Sequence, residues 1–335
     1  MKPNKEINIF KEKKEFYSPD YPWALKLVDA QNDVFWKFNE TNIEDDFHDL
    51  MHNLSESELH GIKETLKLFT LYETQIGNDY WAGLYRKVFK NPELQMLAAT
   101  NSYYECTHAR AYNEINRCMG LDTEEFYTEY KQDNILADRM AFIENACNVP
   151  KDFNALDVLK SLGTFLFVEG AVIYSNFAYI KHFSVNGKNF LKNTNAAIDY
   201  SIRDEGNFHV TSGEMTFKSL KEEAELTSEE LEDLSKHLYK IARKTDEHED
   251  RIISKLFEKG EIPGITEKQL QVFVKSRINE VLKCLELEPI FDLSSEENPI
   301  KDWFYNNVTS LKLTDFFYKK SAQYSRKWKK FKFTW

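Results

Sequence analysis

The chain has 335 residues, of which 42% are hydrophobic and 30% charged, and it contains only 11 Gly and 8 Pro. These turn-forming residues make up about half of their usual share of ~12%, so the elements between turns must be long. The composition disfavours a β-sandwich, a collagen-like chain and a disordered chain. The formal net charge of −11 argues against a general nucleic-acid-binding protein, because neutralising phosphates requires clustered Lys and Arg.

The cysteines and the N-terminus bear on where the protein acts. The 4 cysteines are too far apart for a CxxC pair, which indicates neither a disulfide framework nor a zinc site. The first residues are charged, and no apolar run approaches the ~18 residues that a membrane span needs. We therefore expect a cytoplasmic protein with no membrane contact.

The first part of the chain predicts long helices after a polar start. Residues 1–22 contain three of the prolines and predict an extended N-terminal segment, and from Trp23 onward the pattern is helical. Residues 55–58 (SESE) have the form of a capping box, so a long helix is expected to begin there. A second long helix is predicted over 91–119, since Asn-Pro precedes it and Gly follows it.

The remainder continues the same pattern, without a strand-period segment of useful length. Residues 227–230 (TSEE) form another capping box. The predicted helices cover approximately 123–146, 156–183, 190–218, 227–258 and a last one from 266. The helix over 156–183 is apolar almost all round, which is typical of a central helix. We predict one all-α domain over residues 23–318, followed by a C-terminal tail over 319–335.

Glu105 and His108 form an ExxH pair in the middle of the second long helix. Three residues along a helix place both side chains on one face, where they can bind one metal ion. A buried carboxylate is costly unless it is paired or coordinating. An isolated ExxH is more often part of a solvated helix face, so the pair needs further support.

That support is the recurrence of acidic residues and histidine on successive predicted helices. Di-metal carboxylate bundles take a Glu from each of two helices and an ExxH from each of two others. The chain offers Glu73 one helix earlier, Glu169 in the most apolar helix, and Glu205 with His209 on the next helix. Glu169 among apolar residues either binds a metal, pairs with a buried partner or stays protonated. Glu205 and His209 are four residues apart, which keeps them on one face, through a π-bulge if necessary.

Five segments resemble those of a known family, and they occur in that family's order. They are FW at 35–36, LYETQIGND around Glu73, YECTHARAY at 104–112, VEGAVIYSNF around Glu169, and RDE at 203–205. Along nearly its whole length the chain is similar to the small (beta) subunit of class I ribonucleotide reductase. The resemblance implies a ferritin-like helical bundle with a di-metal carboxylate site in a four-helix core. It also implies two Fe or Mn ions, activated by oxygen or a reduced oxygen species, with the ligands Glu73, Glu105, His108, Glu169, Glu205 and His209.

The resemblance further implies a radical and a route for it. Tyr112, four residues after His108, matches the tyrosine on which the family stores its radical, although an ordinary core tyrosine would fit that position equally well. The electron route would run through Trp36 and Asp204 to Tyr324 in the C-terminal tail. Trp36 could also be an ordinary packed tryptophan, and Tyr318 competes with Tyr324 for the tail position.

The implied activity is that of the small subunit of a ribonucleoside-diphosphate reductase, which passes its radical to a large catalytic subunit that makes deoxyribonucleotides for DNA synthesis. We expect a homodimer that docks on the large subunit through its tail. The tail departs from the family, because RKWKKFKFTW is basic and aromatic where family tails are acidic and apolar. We expect this tail to bind a groove with an acidic rim on the large subunit. Binding of the tail to nucleic acid is the less favoured alternative.

Two other functions remain open from the sequence. A ligand-binding di-metal oxidase would share the six ligands but would need neither Tyr112 nor a docking tail. A metal-storage or metal-free structural bundle would form no organic radical. The sequence does not choose between Fe and Mn, although Glu73 stands where many family members have Asp.

Overall fold

The computed structural model describes residues 7–15, 18–185, 188–305 and 308. Within these ranges the regular structure is helical, apart from one isolated bridge between Ile262 and Ile265. The α-helices are α1 (Pro22–Asp33), α2 (Glu56–Gln75), α3 (Arg86–Val88), α4 (Pro92–Cys118), α5 (Glu124–Thr128), α6 (Asn134–Ala146), α7 (Ala155–Phe167), α8 (Tyr174–Lys181), α9 (Lys192–Asp204), α10 (Val210–Ala224), α11 (Ser228–Leu256), α12 (Glu267–Cys284) and α13 (Pro299–Phe304). In the described part of the chain, no helix combines the length and the apolar character that crossing a membrane requires.

Local sequence signals explain where the principal helices begin. The Ser55 side chain accepts from the Glu58 backbone N–H, and the Glu58 carboxylate accepts from the Ser55 N–H, which completes the predicted capping box of α2. Reciprocal caps of the same kind begin α7, α11 and α12. Pro92 occupies the first turn of α4, where its missing N–H costs nothing.

Two stretches depart from the predicted helices. The helical pattern from Trp23 onward ends at Asp33, and residues 34–55 form short 3₁₀ and π turns instead of a helix. In this stretch Asp46 turns inward and accepts from the backbone N–H of Asn193 and Thr194, so it satisfies the first turn of α9. The helix predicted over 123–146 is broken before α6, because the Asp133 side chain accepts from two N–H groups at the start of that helix.

Three π-helical segments interrupt the long helices, and each either contains a predicted ligand or follows one closely. They cover Ile76–Tyr85 after α2, Val168–Val172 between α7 and α8, and Glu205–His209 between α9 and α10. A π turn bonds i to i+5, so it widens the helix and displaces backbone carbonyls. Two buried arginines donate to carbonyls of the middle segment: Arg277 Nε to Gly170 O at 3.0 Å and Arg139 to Val172 O at 3.3 Å.

The core is centred on α7 and α8. These helices pack against α10, α11 and α12, and α2 packs against α4, α8 and α11. Nearly every side chain of α7 and α8 is buried, as their apolar sequence predicts. Glu169, between α7 and α8, therefore lies in a helical segment that is surrounded by other helices.

A buried ion pair crosses this core. The Arg139 guanidinium on α6 lies 2.5 Å from Glu249 on α11, and the Ser175 hydroxyl on α8 donates to the other Glu249 oxygen. Arg139 and Glu249 are both 0% exposed. The pair thus links three helices around the segment that carries Glu169.

We expect Arg139→Met to destabilise the protein by about 3–5 kcal/mol, because it leaves the Glu249 carboxylate buried and uncompensated. Arg139→Met/Glu249→Leu should recover much of this loss, since both charges are then removed. Urea unfolding of the metal-free protein measures the change. Lys236→Ala removes an exposed pair with Glu232 and should leave the midpoint unchanged. A single Arg139 variant as stable as the wild type would contradict the role of this pair.

Candidate metal centre

Four helical segments bring the six predicted ligands together. Glu73 lies two residues before the end of α2, and Glu105 and His108 lie in the middle of α4. Glu169 lies in the π segment between α7 and α8, and the last two ligands lie in the π segment between α9 and α10. None of the six is more than 2% exposed. Residues separated by more than 100 positions in the sequence thus converge in one buried site.

The ligand atoms form two overlapping groups, and within each group they all lie within 4.8 Å of one another. One group contains Glu73, Glu105, His108 and Glu205, and the other contains Glu105, Glu169, Glu205 and His209. Glu105 and Glu205 belong to both. Two groups that share two carboxylates could hold a pair of metal ions.

The four-residue spacing of Glu205 and His209 is accommodated by a π-helical segment. The two residues are the first and last of that segment. Its wide turn keeps them on one face, and His209 Nδ1 lies 3.0 Å from Glu205 Oε2. The departure from the ExxH spacing therefore leaves both side chains directed into the site.

The unsatisfied polar atoms of the site fit metal ions. His108 Nδ1 lies 3.0 Å from Glu205 Oε1 and 3.4 Å from Glu73 Oε2, yet it makes no hydrogen bond of normal geometry. Glu73 Oε1, both oxygens of Glu105 and Glu205 Oε1 also lack hydrogen-bond partners. Buried polar atoms without partners are costly. Carboxylate oxygens with two imidazoles are donors that suit Fe and Mn, so the residues present fit a di-metal centre.

The charges in the site perturb one another strongly. Burial raises the pKa of Glu73 and Glu169 well above the usual value, and neighbouring carboxylates raise it further. Burial by itself would lower the pKa of His209. The carboxylates of Glu205 and Glu105 outweigh this effect and raise the pKa of His209 to about 10. Protons therefore compensate the carboxylates in the metal-free protein, and metal ions have to displace them.

Outside the cluster, a hydrogen-bonded chain leads from His108 to Trp36. His108 Nε2 lies 3.2 Å from Asp204 Oδ2, and the Trp36 indole N–H donates to the same oxygen at 2.8 Å. Burial opposes ionisation of Asp204, but the charge of Arg203 and these hydrogen bonds hold its pKa below the usual value. Asp204 thus stays ionised, and it fixes the orientation of the His108 ring.

Two residues beside the site were not predicted from the sequence. The Trp81 indole N–H donates to Glu169 Oε1 at 3.1 Å, and Gln31 Nε2 lies 3.3 Å from His209 Nε2. The Gln31 oxygen has no partner, so the reverse amide orientation would let it accept the His209 N–H. Trp81 follows Glu73 by eight residues, in the π segment after α2, which is a weak sequence signal. Gln31 lies on α1 and has no sequence signal.

Tyr112 lies on α4 one turn after His108 and is 0% exposed. Its ring centroid is 4.7 Å from that of Phe69, which in turn packs against Phe177. Burial raises the pKa of Tyr112 well above the usual value, and the charge of Glu73 adds to this. The phenol is therefore neutral and shielded from water. Tyr324, Tyr318 and the rest of the tail lie outside the described residues.

Comparison with known proteins identifies the family of this chain. A family model described as "Ribonucleotide reductase, small chain" matches residues 13–299. The chain belongs to this family. The resemblance found in the sequence motifs is thereby confirmed, and so is the prediction of an all-α, ferritin-like bundle.

Individual relatives agree with this assignment. Over 96% of its length the small chain is 24% identical to the "Probable ribonucleoside-diphosphate reductase small subunit" of Invertebrate iridescent virus 3, covering 86% of that protein. It matches the R2 subunit of Clostridium botulinum with a TM-score of 0.72 and 20% identity, over 86% of this chain and 89% of the other. It matches the dimanganese(II) NrdF of Streptococcus sanguinis with a TM-score of 0.71 and 20% identity, over 84% and 94%. These structural likenesses concern the fold.

Gly77 offers a test of the site geometry, because a Cβ at this position would lie 2.9 Å from Glu105 Cβ. We expect Gly77→Ala to displace Glu105 and to weaken metal binding by roughly tenfold or more, as measured by titration of the metal-free protein. The control is Gly206→Ala, whose added Cβ would have only Tyr174 Oη nearby, at 3.4 Å. Equal metal affinity in both variants would contradict the role of Gly77.

Proposed function

We propose that this small chain is the radical-generating subunit of a ribonucleoside-diphosphate reductase and that Tyr112 carries the radical. The observation that carries the proposal is the convergence of the six buried ligands beside Tyr112. The name of the viral relative supports the diphosphate as the substrate level.

The ligands proposed for the two metal ions are Glu73, Glu105, His108, Glu169, Glu205 and His209. Both Fe and Mn suit this donor set, and the Streptococcus sanguinis relative is a dimanganese protein. When bound, the ions supply the oxidising equivalent, drawn from oxygen or a reduced oxygen species, that removes an electron and a proton from Tyr112. The protein contributes the orientation of the ligands and a site from which water is excluded.

The apolar surroundings of Tyr112 suit a stored radical. Ile173 and Phe177 are buried on the segments that follow Glu169, and Phe69 lies against the tyrosine ring. These side chains bring no oxidisable or acidic group into contact with the phenoxyl oxygen. The radical is therefore expected to persist until the partner subunit draws it out.

The exit route begins at the hydrogen-bonded chain that joins His108, Asp204 and Trp36. An electron that leaves Trp36 would leave its indole proton with Asp204, which already accepts that N–H. Tyr324 of the tail is the proposed next carrier, on the way to the large catalytic subunit. We further propose a cytoplasmic homodimer whose tail docks in an acidic groove of that subunit.

Tyr112→Phe should load the same number of metal ions as the wild type but show no tyrosyl radical after activation, because phenylalanine has no hydroxyl to oxidise. Metal analysis and electron paramagnetic resonance measure the two quantities. Turnover with the large subunit should be lost.

The matched control is Tyr80→Phe, which alters a second buried tyrosine whose pKa is raised by burial and by Glu169. It should keep the tyrosyl signal. A signal that survives Tyr112→Phe and disappears in Tyr80→Phe would move the radical to Tyr80. Full metal loading without any radical in the wild type would favour the ligand-binding oxidase.

Deleting residues 328–335 should weaken binding to the large subunit by roughly tenfold or more, equivalent to about 1.4 kcal/mol, because these residues hold three of the tail's six lysines and four of its five aromatics. The Tyr112 radical yield should be unchanged. Surface plasmon resonance at two salt concentrations gives the affinity and its electrostatic part. Unaltered affinity would refute docking through the tail.

A further inference from the structure

The backbone directly after the proposed ligand Glu169 is held by a buried arginine of α12. Arg277 is 8% exposed, and its Nε donates to the carbonyl oxygen of Gly170 at 3.0 Å. Arg139 bonds the same π segment two residues further along, at Val172. Of these two arginines, Arg277 is therefore the one bonded to the peptide unit next to the ligand.

Two further contacts fasten α12 to the segment that carries Glu169. The Arg277 guanidinium lies over the ring of Tyr174, with Cζ 4.0 Å from the ring centroid, and this tyrosine begins α8 just after the π segment. One turn further along α12, Val281 lies so close that a Cβ added to Gly170 would be 2.5 Å from its Cγ2 atom. The arginine and the backbone beside the ligand therefore cannot move independently by much.

The same guanidinium also contacts the C-terminal part of the described chain. Arg277 Nη1 donates to Tyr305 Oη at 2.6 Å and to a carboxylate oxygen of Glu280. Tyr305 directly follows α13, on the way to the C-terminal tail. A guanidinium is planar and its donors point in fixed directions. A change in the position of Tyr305 is therefore transmitted to the bond between Arg277 and Gly170.

We propose that Arg277 is a positioning residue for the metal ion that Glu169 binds, and that Tyr305 makes the affinity for this ion depend on the C-terminal segment; this rests on the metal-binding role proposed above. Groups that orient a ligand change metal affinity by roughly 10–100-fold. Here the orientation is imposed through the main chain of the π segment. The other ion does not use Glu169, so Arg277 should leave its affinity unchanged.

Titration of the metal-free, full-length protein with Mn(II) tests the proposal, with the free ion measured by electron paramagnetic resonance. Arg277→Met removes the guanidinium but keeps a long apolar side chain, and it should weaken the binding of one of the two ions by roughly tenfold. Tyr305→Phe keeps the ring and removes the hydroxyl, and it should weaken the same ion by roughly threefold. Wild-type affinity in Arg277→Met would overturn the positioning role, and wild-type affinity in Tyr305→Phe would overturn the link to the C-terminal segment.

The matched control is Lys275→Met, on the same helix. This lysine lies two residues before Arg277 and pairs with Asp246 and Asp250 of α11. The substitution removes a cation of α12 that has no printed role in the π segment, so both Mn(II) affinities should equal those of the wild type. Equal weakening in Lys275→Met and Arg277→Met would assign the effect to the charge of α12 and overturn the proposal.

A double-mutant cycle with Glu169→Ala separates positioning from general stability. The ion that remains in Glu169→Ala should bind through the group of Glu73, and adding Arg277→Met should not weaken it further. The same weakening in both backgrounds would show that Arg277 only stabilises the fold. Urea unfolding of the metal-free variants checks that they are folded. If Arg277→Met does not fold, Tyr305→Phe, which removes a single half-buried hydroxyl, decides the proposal.

These outcomes differ from a failure of the proposed metal centre. If the wild-type protein binds fewer than two Mn(II) ions per chain, the six-ligand centre is wrong and both proposals fall. If the wild type binds two ions and the variants at 277 and 305 bind them equally well, only the inference about Arg277 and Tyr305 fails.

Discussion

The free-energy cost of burying four carboxylates in one apolar bundle constrains the rest of the structure. Glu73, Glu105, Glu169 and Glu205 are each at most 2% exposed, and isolated buried charges of one sign are strongly unfavourable. Two histidines provide part of the compensation, and protons or metal ions provide the remainder. The bundle must therefore be stable enough, through the rest of its core, to hold this cluster in place before any metal binds.

The π-helical segments are the local means by which that cluster is assembled. A regular α-helix through 168–172 or 205–209 would direct the ligands differently, because its turns are narrower. The displaced carbonyls of the middle segment are bonded by Arg139 and Arg277. Arg139 is itself held by Glu249, so the position of Glu169 is coupled to α6, α11 and α12.

Asp204 connects the buried site with the residues outside it. Tyr112 and the six predicted ligands are buried in the core of the bundle, which would suit the proposed storage of a radical but would also hinder its transfer. Asp204 bonds both His108 and Trp36, so it is the polar link between the buried centre and the aromatic residues outside it. The contact of Trp36 with half-buried Tyr200 extends this link toward solvent.

The sequence by itself determined the helical class, the capped starts of the helices and the identity of the residues that meet in the site. Composition, capping residues and Glu-to-His spacing are local properties, because they depend on near neighbours in the chain. The break before α6 is a local effect, because Asp133 caps N–H groups two and three residues further along the chain. Only the tertiary structure decided the break at 34–55, where Asp46 bonds backbone N–H groups at the start of α9. The tertiary structure also brought Gln31 to His209 and Tyr200 to Trp36. Those contacts join residues more than 160 positions apart, and helix packing, which local periodicity does not encode, sets them.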